Sequence, residues 1–171
     1  EADKYLEQAL AEWNQPKATR QNIGTVTVMF TDIAGSTAMT QELGDAVAQQ
    51  IIRVHNRIVR EALTDFGGTE IKHTGDGIMA SFDSSSDSVE GAIRIQQKIV
   101  VHNQYNPDLP LRVKVGINAG EPIAEDDDLF GSTVQMAARI VDKASKDEIF
   151  VSEIVHGICE GKNLNFKNRG P

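Results

Sequence analysis

Apolar and polar positions change period several times along this 171-residue chain, and each change marks an element. From Thr25 to Thr31, Val26, Val28 and Phe30 alternate with threonines, the period-two pattern of a strand that stops at Asp32. Between Asp45 and Phe66, Val47, Ile51, Val54, Ile58 and Ala62 recur every three or four residues, which predicts a long amphipathic helix ended by Gly67-Gly68. Thr69 to Phe82 reads as two short strands around the turn Thr74-Gly75-Asp76-Gly77. Past a cap region at Ser84 to Asp87, a second long helix aligns Val89, Ala92, Ile93, Gln96, Ile99 and Val100 on one face, and Tyr105 to Pro110 ends it. Leu111 to Ile117 alternates as a strand again, with Asn118 to Pro122 as its exit loop. Gly131 to Ala144 reads as helix, Glu148 to Val151 as a short strand, Ser152 to Glu160 as a short helix, and Leu164 to Phe166 as one more strand. Ahead of these, Leu6, Ala9, Leu10 and Trp13 stand near helical spacing, so residues 1–20 are expected to form a linker helix and residues 21–171 a single domain.

The order strand, long helix, hairpin, long helix, strand is the split βαββαβ arrangement of an α+β, ferredoxin-like sheet with both helices on one face; further α/β elements follow toward the C-terminus. Its consequence is local and chemical. The first strand and the hairpin become neighbours in the sheet, so Asp32 and Asp76 come together although they are distant in sequence.

Composition narrows the function without naming it. Hydrophobic residues at 40% and charged residues at 25% are those of an ordinary globular domain, and a net charge of -8 argues against a basic surface for nucleic acid or anionic lipid. The single cysteine, Cys159, permits no internal disulfide and no thiolate cluster, which fits a reducing, cytoplasmic setting. No apolar run is long enough to cross a bilayer, and a start at Glu1 rather than Met suggests a piece of a longer protein, so any membrane or sensor part is expected outside this chain. His55, His73, His102 and His156 lack ligand spacing and read as structural or surface residues.

Two carboxylates held close repel each other, and bound cations or a shared proton relieve that repulsion at neutral pH. Phe30-Thr31-Asp32-Ile33-Ala34-Gly35-Ser36-Thr37 runs from a strand into a small-residue turn at a helix start, where backbone N–H groups are suited to phosphate. A carboxylate beside a phosphate cradle is how magnesium-nucleotide sites are built. Taken singly, an Asp at a strand end is ordinarily a cap and Gly-Asp-Gly ordinarily a turn. Their joint occurrence on neighbouring strands is the informative feature.

Four stretches in register carry a resemblance to the class III adenylate and guanylate cyclases: Val28 to Thr37, Ile71 to Gly77, Val115 to Gly120, and Asp128 to Val134 with Ala137-Ala138-Arg139. The resemblance spans about residues 24 to 170 and implies a nucleotidyl cyclase catalytic domain. It implies that Asp32, Asp76 and the carbonyl of Ile33 hold two Mg2+ or Mn2+ ions, and that Ala34, Gly35, Ser36 and Thr37 line the phosphates. Lys72 and Asp128 take the base-selecting positions: Lys72 donates to adenine N1 and Asp128 accepts from its amino group, a pattern opposite to guanine's, so ATP is the expected substrate. Arg139 stabilises the pentavalent transition state, and Gln135, four residues earlier on the same helical face, stands where many members have an asparagine that orients the ribose. A head-to-tail homodimer with two shared sites follows from the same likeness, because the metal residues and the base-selecting residues then come from different subunits.

Two departures qualify the resemblance. Gln135 is one methylene longer than the usual residue, and the chain stops at Pro171, before the strand that brings members of the family a phosphate-binding lysine. These departures keep open a cyclase-like module that binds nucleotide only to regulate a partner; a guanylate cyclase is a further alternative, as is a palm-like enzyme such as a diguanylate cyclase or polymerase, which shares the βαββαβ core and paired carboxylates but is opposed by Lys72 and Asp128.

Overall fold

The computed structural model describes residues 21–171, so the expected linker helix over 1–20 lies outside the described residues. A five-stranded sheet runs in the order β3-β4-β2-β5-β8, formed by β2 (Val26–Ile33), β3 (Thr69–His73), β4 (Gly77–Phe82), β5 (Val113–Gly120) and β8 (Ile149–Val151). Its first four strands pair antiparallel, and β8 joins parallel to β5, so the sheet is the expected ferredoxin-like one with one strand added. The helices are α1 (Ser36–Leu43), α2 (Asp45–Phe66), α3 (Ser85–Tyr105), α4 (Ser132–Lys143) and α5 (Glu153–Ile158).

β2 and β5 are buried along nearly their whole length because both faces of the sheet are covered. On one face α2 and α3 pack over Met29, Ile33, Ile78, Ala80, Val115 and Ile117, contributing Ile51, Ile58, Ile95 and Ile99. On the other face, Val26, Val28 and Met79 meet Ala137 of α4 and Leu129. Strand alternation thus sends Thr31 toward the long helices and Asp32 toward α4. The termini of the long helices form as expected: Gly67, at φ 73°, ends α2, and the Ser84 hydroxyl accepts the Asp87 N–H (3.2 Å) at the start of α3.

Several expectations are corrected. Asn118 to Gly120 continue β5 instead of forming a loop, because Val26, Thr27 and Val28 of β2 pair with them. Leu164 to Phe166 is not a strand; Leu164 and Phe166 instead pack partly buried against the larger core. On α3 the buried face is turned toward Ile95, leaving Ile93 and Val100 exposed. A small sheet in the order β1-β6-β7, made of β1 (Gln21–Asn22), β6 (Ile123–Glu125) and β7 (Asp128–Phe130), is absent from the sequence reading, its strands being too short for a period to show.

Candidate active site

Asp32 and Asp76 are brought together by backbone hydrogen bonding. Asp32 sits opposite Gly77 in the β2–β4 pairing, and the Ile33 N–H donates to the Asp76 carbonyl (2.9 Å), which ties the hairpin tip to the end of β2. The tip closes on itself, with the Thr74 N–H donating to the Gly77 carbonyl (2.9 Å) across Gly75 at φ 78°. Gly77 is required at its position: a Cβ there would overlap the Thr31 carbonyl oxygen of the neighbouring strand.

The electrostatics are those of crowded anions. Burial and then the nearby Asp76 push the Asp32 carboxyl up to about 6, against the opposing pull of Lys114. Lys114 faces Asp32 from β5 with Nζ 3.9 Å from Oδ2, and Ser36 Oγ donates to Asp76 Oδ2 (2.8 Å). Sequence reading missed Lys114. Its signal was available in the register, since alternation on β5 places it on the same face as Gly116 and Asn118, opposite Asp32.

Two hard oxygen donors held this close, still repelling each other in spite of a lysine, match the chemistry of Mg2+ or Mn2+. No cluster of three or more His, Cys, Asp or Glu side chains suited to a metal occurs among the described residues. A metal pair here would therefore draw its remaining ligands from backbone oxygen, such as the Ile33 carbonyl, from phosphate oxygens and from water.

At the expected phosphate cradle, the Ala34 N–H is already committed to the Arg112 carbonyl (2.8 Å). Its backbone is therefore not a phosphate donor, and the cradle narrows to Gly35, Ser36 and Thr37 at the start of α1. Gly35 caps that helix at φ 70° without a side-chain hydrogen bond, and first-turn N–H groups have no partner within a helix.

Lys72 and Asp128 are also brought together, on β3 and β7. Lys72 Nζ donates to Asp128 Oδ2 (2.8 Å), Asp128 Oδ1 accepts the Leu129 N–H (2.7 Å), and the Phe130 ring lies 6.0 Å from the ammonium. Burial raises the Asp128 carboxyl, but the hydrogen bonds from Lys72 and Leu129 outweigh it and hold the group below the usual carboxylate range. Gln135 and Arg139 lie exposed on α4, one turn apart, and Arg139 forms no ion pair among the described residues. That helix is pressed onto the sheet at Gly116, where a Cβ would overlap the backbone of Val141. No hydrogen bond or ion pair joins the Lys72–Asp128 group to the Asp32–Asp76 group among the described residues, so the two are separate clusters on this chain.

Paired carboxylates at this point of a ferredoxin-like sheet, with a donor–acceptor pair and a free arginine on the same chain, define a class III nucleotidyl cyclase catalytic domain. The family of adenylate and guanylate cyclase catalytic domains matches residues 18–171, and the chain belongs to it. It is 32% identical over 157 residues to an adenylate cyclase of Mycosarcoma maydis, covering 78% of this chain and 6% of that protein. To a putative adenylate cyclase 3 of Rhizobium meliloti it is 35% identical over 105 residues, covering 60% of this chain and 18% of that one. The chain thus corresponds to a small part of these relatives. The structure of an adenylate/guanylate cyclase/hydrolase from Silicibacter pomeroyi matches with a TM-score of 0.75 and 30% identity over 88% of this chain and 87% of that one. The adenylyl cyclase CyaB from P. aeruginosa, at 21% identity and TM-score 0.74 over 82% of each chain, supports the fold.

Proposed function

We propose that this domain is an adenylate cyclase, converting ATP to 3′,5′-cyclic AMP and pyrophosphate in a site completed by a second copy of the chain. The observation that carries the reading is the Lys72–Asp128 pair. A cationic donor and an anionic acceptor 2.8 Å apart match the N1 acceptor and the amino donor on the Watson–Crick edge of adenine. Guanine presents a ring N–H to the lysine and a carbonyl to the aspartate, and both contacts are repulsive.

Asp32 and Asp76, with the Ile33 carbonyl, would hold two divalent ions. When bound, such ions supply a lowered pKa for the ribose 3′-hydroxyl and neutralise phosphate charge. The chain does the rest. Ser36 keeps Asp76 turned into the site. Lys114, 3.9 Å from Asp32, would pair with phosphate in a site that holds those ions, as would the N–H groups of Gly35 to Thr37. Gln135 orients the ribose and Arg139 meets the charge that builds on the α-phosphate. The 3′-oxygen bonds to the α-phosphorus while the bond from that phosphorus to the pyrophosphate oxygen breaks, and the hydroxyl proton passes to solvent.

On this reading the two separate clusters are half-sites, and a homodimer brings them together. Ile23, Ile123, Phe130 and Met136 are exposed apolar residues near the base-reading half, an arrangement suited to a partner's surface. The deciding experiment is product analysis with ATP and GTP side by side in Mn2+ and in Mg2+. Cyclic AMP formation that is lost in Asp32→Ala and Asp76→Ala supports the reading. Cyclic GMP alone would make the domain a guanylate cyclase, and nucleotide binding without product would make it a regulatory module.

A further inference from the structure

His55 is a wholly buried imidazole that takes no part in the chemistry above. It occupies the middle of the buried stripe of α2, where every other buried residue, from Ala48 to Leu63, is apolar. A polar ring in such a place is costly unless both nitrogens are satisfied. Nε2 lies 2.9 Å from Thr31 Oγ1, and Nδ1 lies 2.9 Å from Asn56 Oδ1. The Asn56 oxygen only accepts, so Nδ1 carries the hydrogen. Burial lowers the His55 pKa and keeps the ring neutral, which leaves Nε2 to accept the Thr31 hydroxyl. Thr31 Oγ1 in turn accepts the Ile78 N–H (3.1 Å) from β4. Donation therefore runs one way, from the Ile78 N–H of β4 through Thr31 of β2 to His55 and Asn56 of α2. These bonds engage the residue before Asp32 and the second residue after Asp76.

We propose that His55, acting through Thr31, is a positioning residue that sets the spacing of the Asp32 and Asp76 carboxylates for a pair of divalent ions. The purpose of this device rests on the metal-dependent cyclase reading, but its test needs no turnover. The ordinary alternative is a core histidine that only fills space and satisfies its own hydrogen bonds. The two readings differ in what they expect of metal binding.

Mn2+ binding is titrated by electron paramagnetic resonance with a non-cyclisable α,β-methylene analogue of ATP present, and repeated with Mn2+ alone. Four variants are compared: His55→Gln keeps a polar atom where Nε2 stands, His55→Asn keeps one only where Nδ1 stands, and Thr31→Val and Thr31→Ser remove or retain the hydroxyl. His55→Asn and Thr31→Val should each weaken Mn2+ binding by about tenfold or more, as loss of support behind metal ligands does, while His55→Gln and Thr31→Ser stay within about threefold. The double variant of His55→Asn with Thr31→Val should bind no worse than the weaker single, because one relay is broken once. Unchanged Mn2+ affinity in Thr31→Val, or equal losses in His55→Gln and His55→Asn, overturns the proposal. Should His55→Asn fail to fold, Thr31→Val decides alone, since it preserves the shape of the side chain. If the variants weaken Mn2+ binding but the parent makes no cyclic nucleotide, the positioning role stands and the cyclase reading falls. If the parent cyclises ATP and all four variants bind Mn2+ alike, the reverse holds.

Discussion

Asp32 is where function and stability oppose each other. Its carboxyl titrates at about 6 in the fold against an ordinary value of 3.8, so the native state binds a proton more tightly than the unfolded chain. The sign follows: metal-free stability falls as pH rises from about 4 through about 6, because the charged form is the one burial and Asp76 disfavour. With the side chain 29% exposed, we expect this to cost about 1–2 kcal/mol at neutral pH after discounting for solvent. Asp32→Asn should therefore raise the melting temperature of metal-free protein by roughly 2–6 °C at pH 8 and by little at pH 4, while removing Mn2+ binding. Melting curves in chelator at both pH values check this. In the parent, Mn2+ affinity should fall as pH drops through about 6, read by the same titration at pH 5.5 and 7.5. On the proposed adenylate cyclase reading, Lys72→Ala should raise the KM for ATP and narrow the preference for ATP over GTP by about tenfold or more, since one specific hydrogen bond to the base is lost. Competitive assays with both nucleotides measure it.

Among the elements, α4 has the most exacting placement. It carries Gln135 and Arg139, and its distance from β5 is set by the absence of a side chain at Gly116. Gly116→Ala must push the helix outward and is expected to destabilise the domain by about 1–3 kcal/mol, in line with other overpacked cores. Turnover should fall further than stability accounts for, because Arg139 moves with the helix, whereas Mn2+ binding at Asp32 and Asp76 on other elements should hold. Thermal melting, product assay and Mn2+ titration on one variant separate these effects. The β2–β4 pair has a parallel constraint at Gly77, but there the cost falls on the placement of Asp32 and Asp76 themselves.

For the whole molecule, the separation of the Asp32–Asp76 pair from the Lys72–Asp128 pair is the consequential feature. If a site takes Asp32 and Asp76 from one copy and Lys72, Asp128 and Arg139 from the other, a protein lacking Asp76 and a protein lacking Arg139 are each inactive. Mixed, they should form heterodimers with one intact site. Equal amounts of Asp76→Ala and Arg139→Ala chains, unfolded and refolded together, should recover about a quarter of parental activity, because half the dimers are mixed and each has one of two sites. No recovery, with dimers present by light scattering, would place each site within a single chain.

Much of the fold was legible because its long elements repeat a clear period: the stripes of α2 and α3 and the alternation of β2 and β5 declare the βαββαβ order, and that order makes Asp32 and Asp76 neighbours. Local turn chemistry was legible too, in Gly67-Gly68 and in Thr74 to Gly77. The three-residue strands β6 and β7 were not, since so short a stretch has no period to read. Nor were Lys114, Ser36 as a partner of Asp76, or His55 as a partner of Thr31, all of which depend on which side chains face one another across elements. The sequence by itself determined the element order and the residue types able to bind cations and read a base. Tertiary structure decided which of them meet, how far burial and repulsion shift the Asp32 carboxyl, and that the Ala34 N–H is spent inside the fold, because distance and desolvation exist only once the strands and helices have packed.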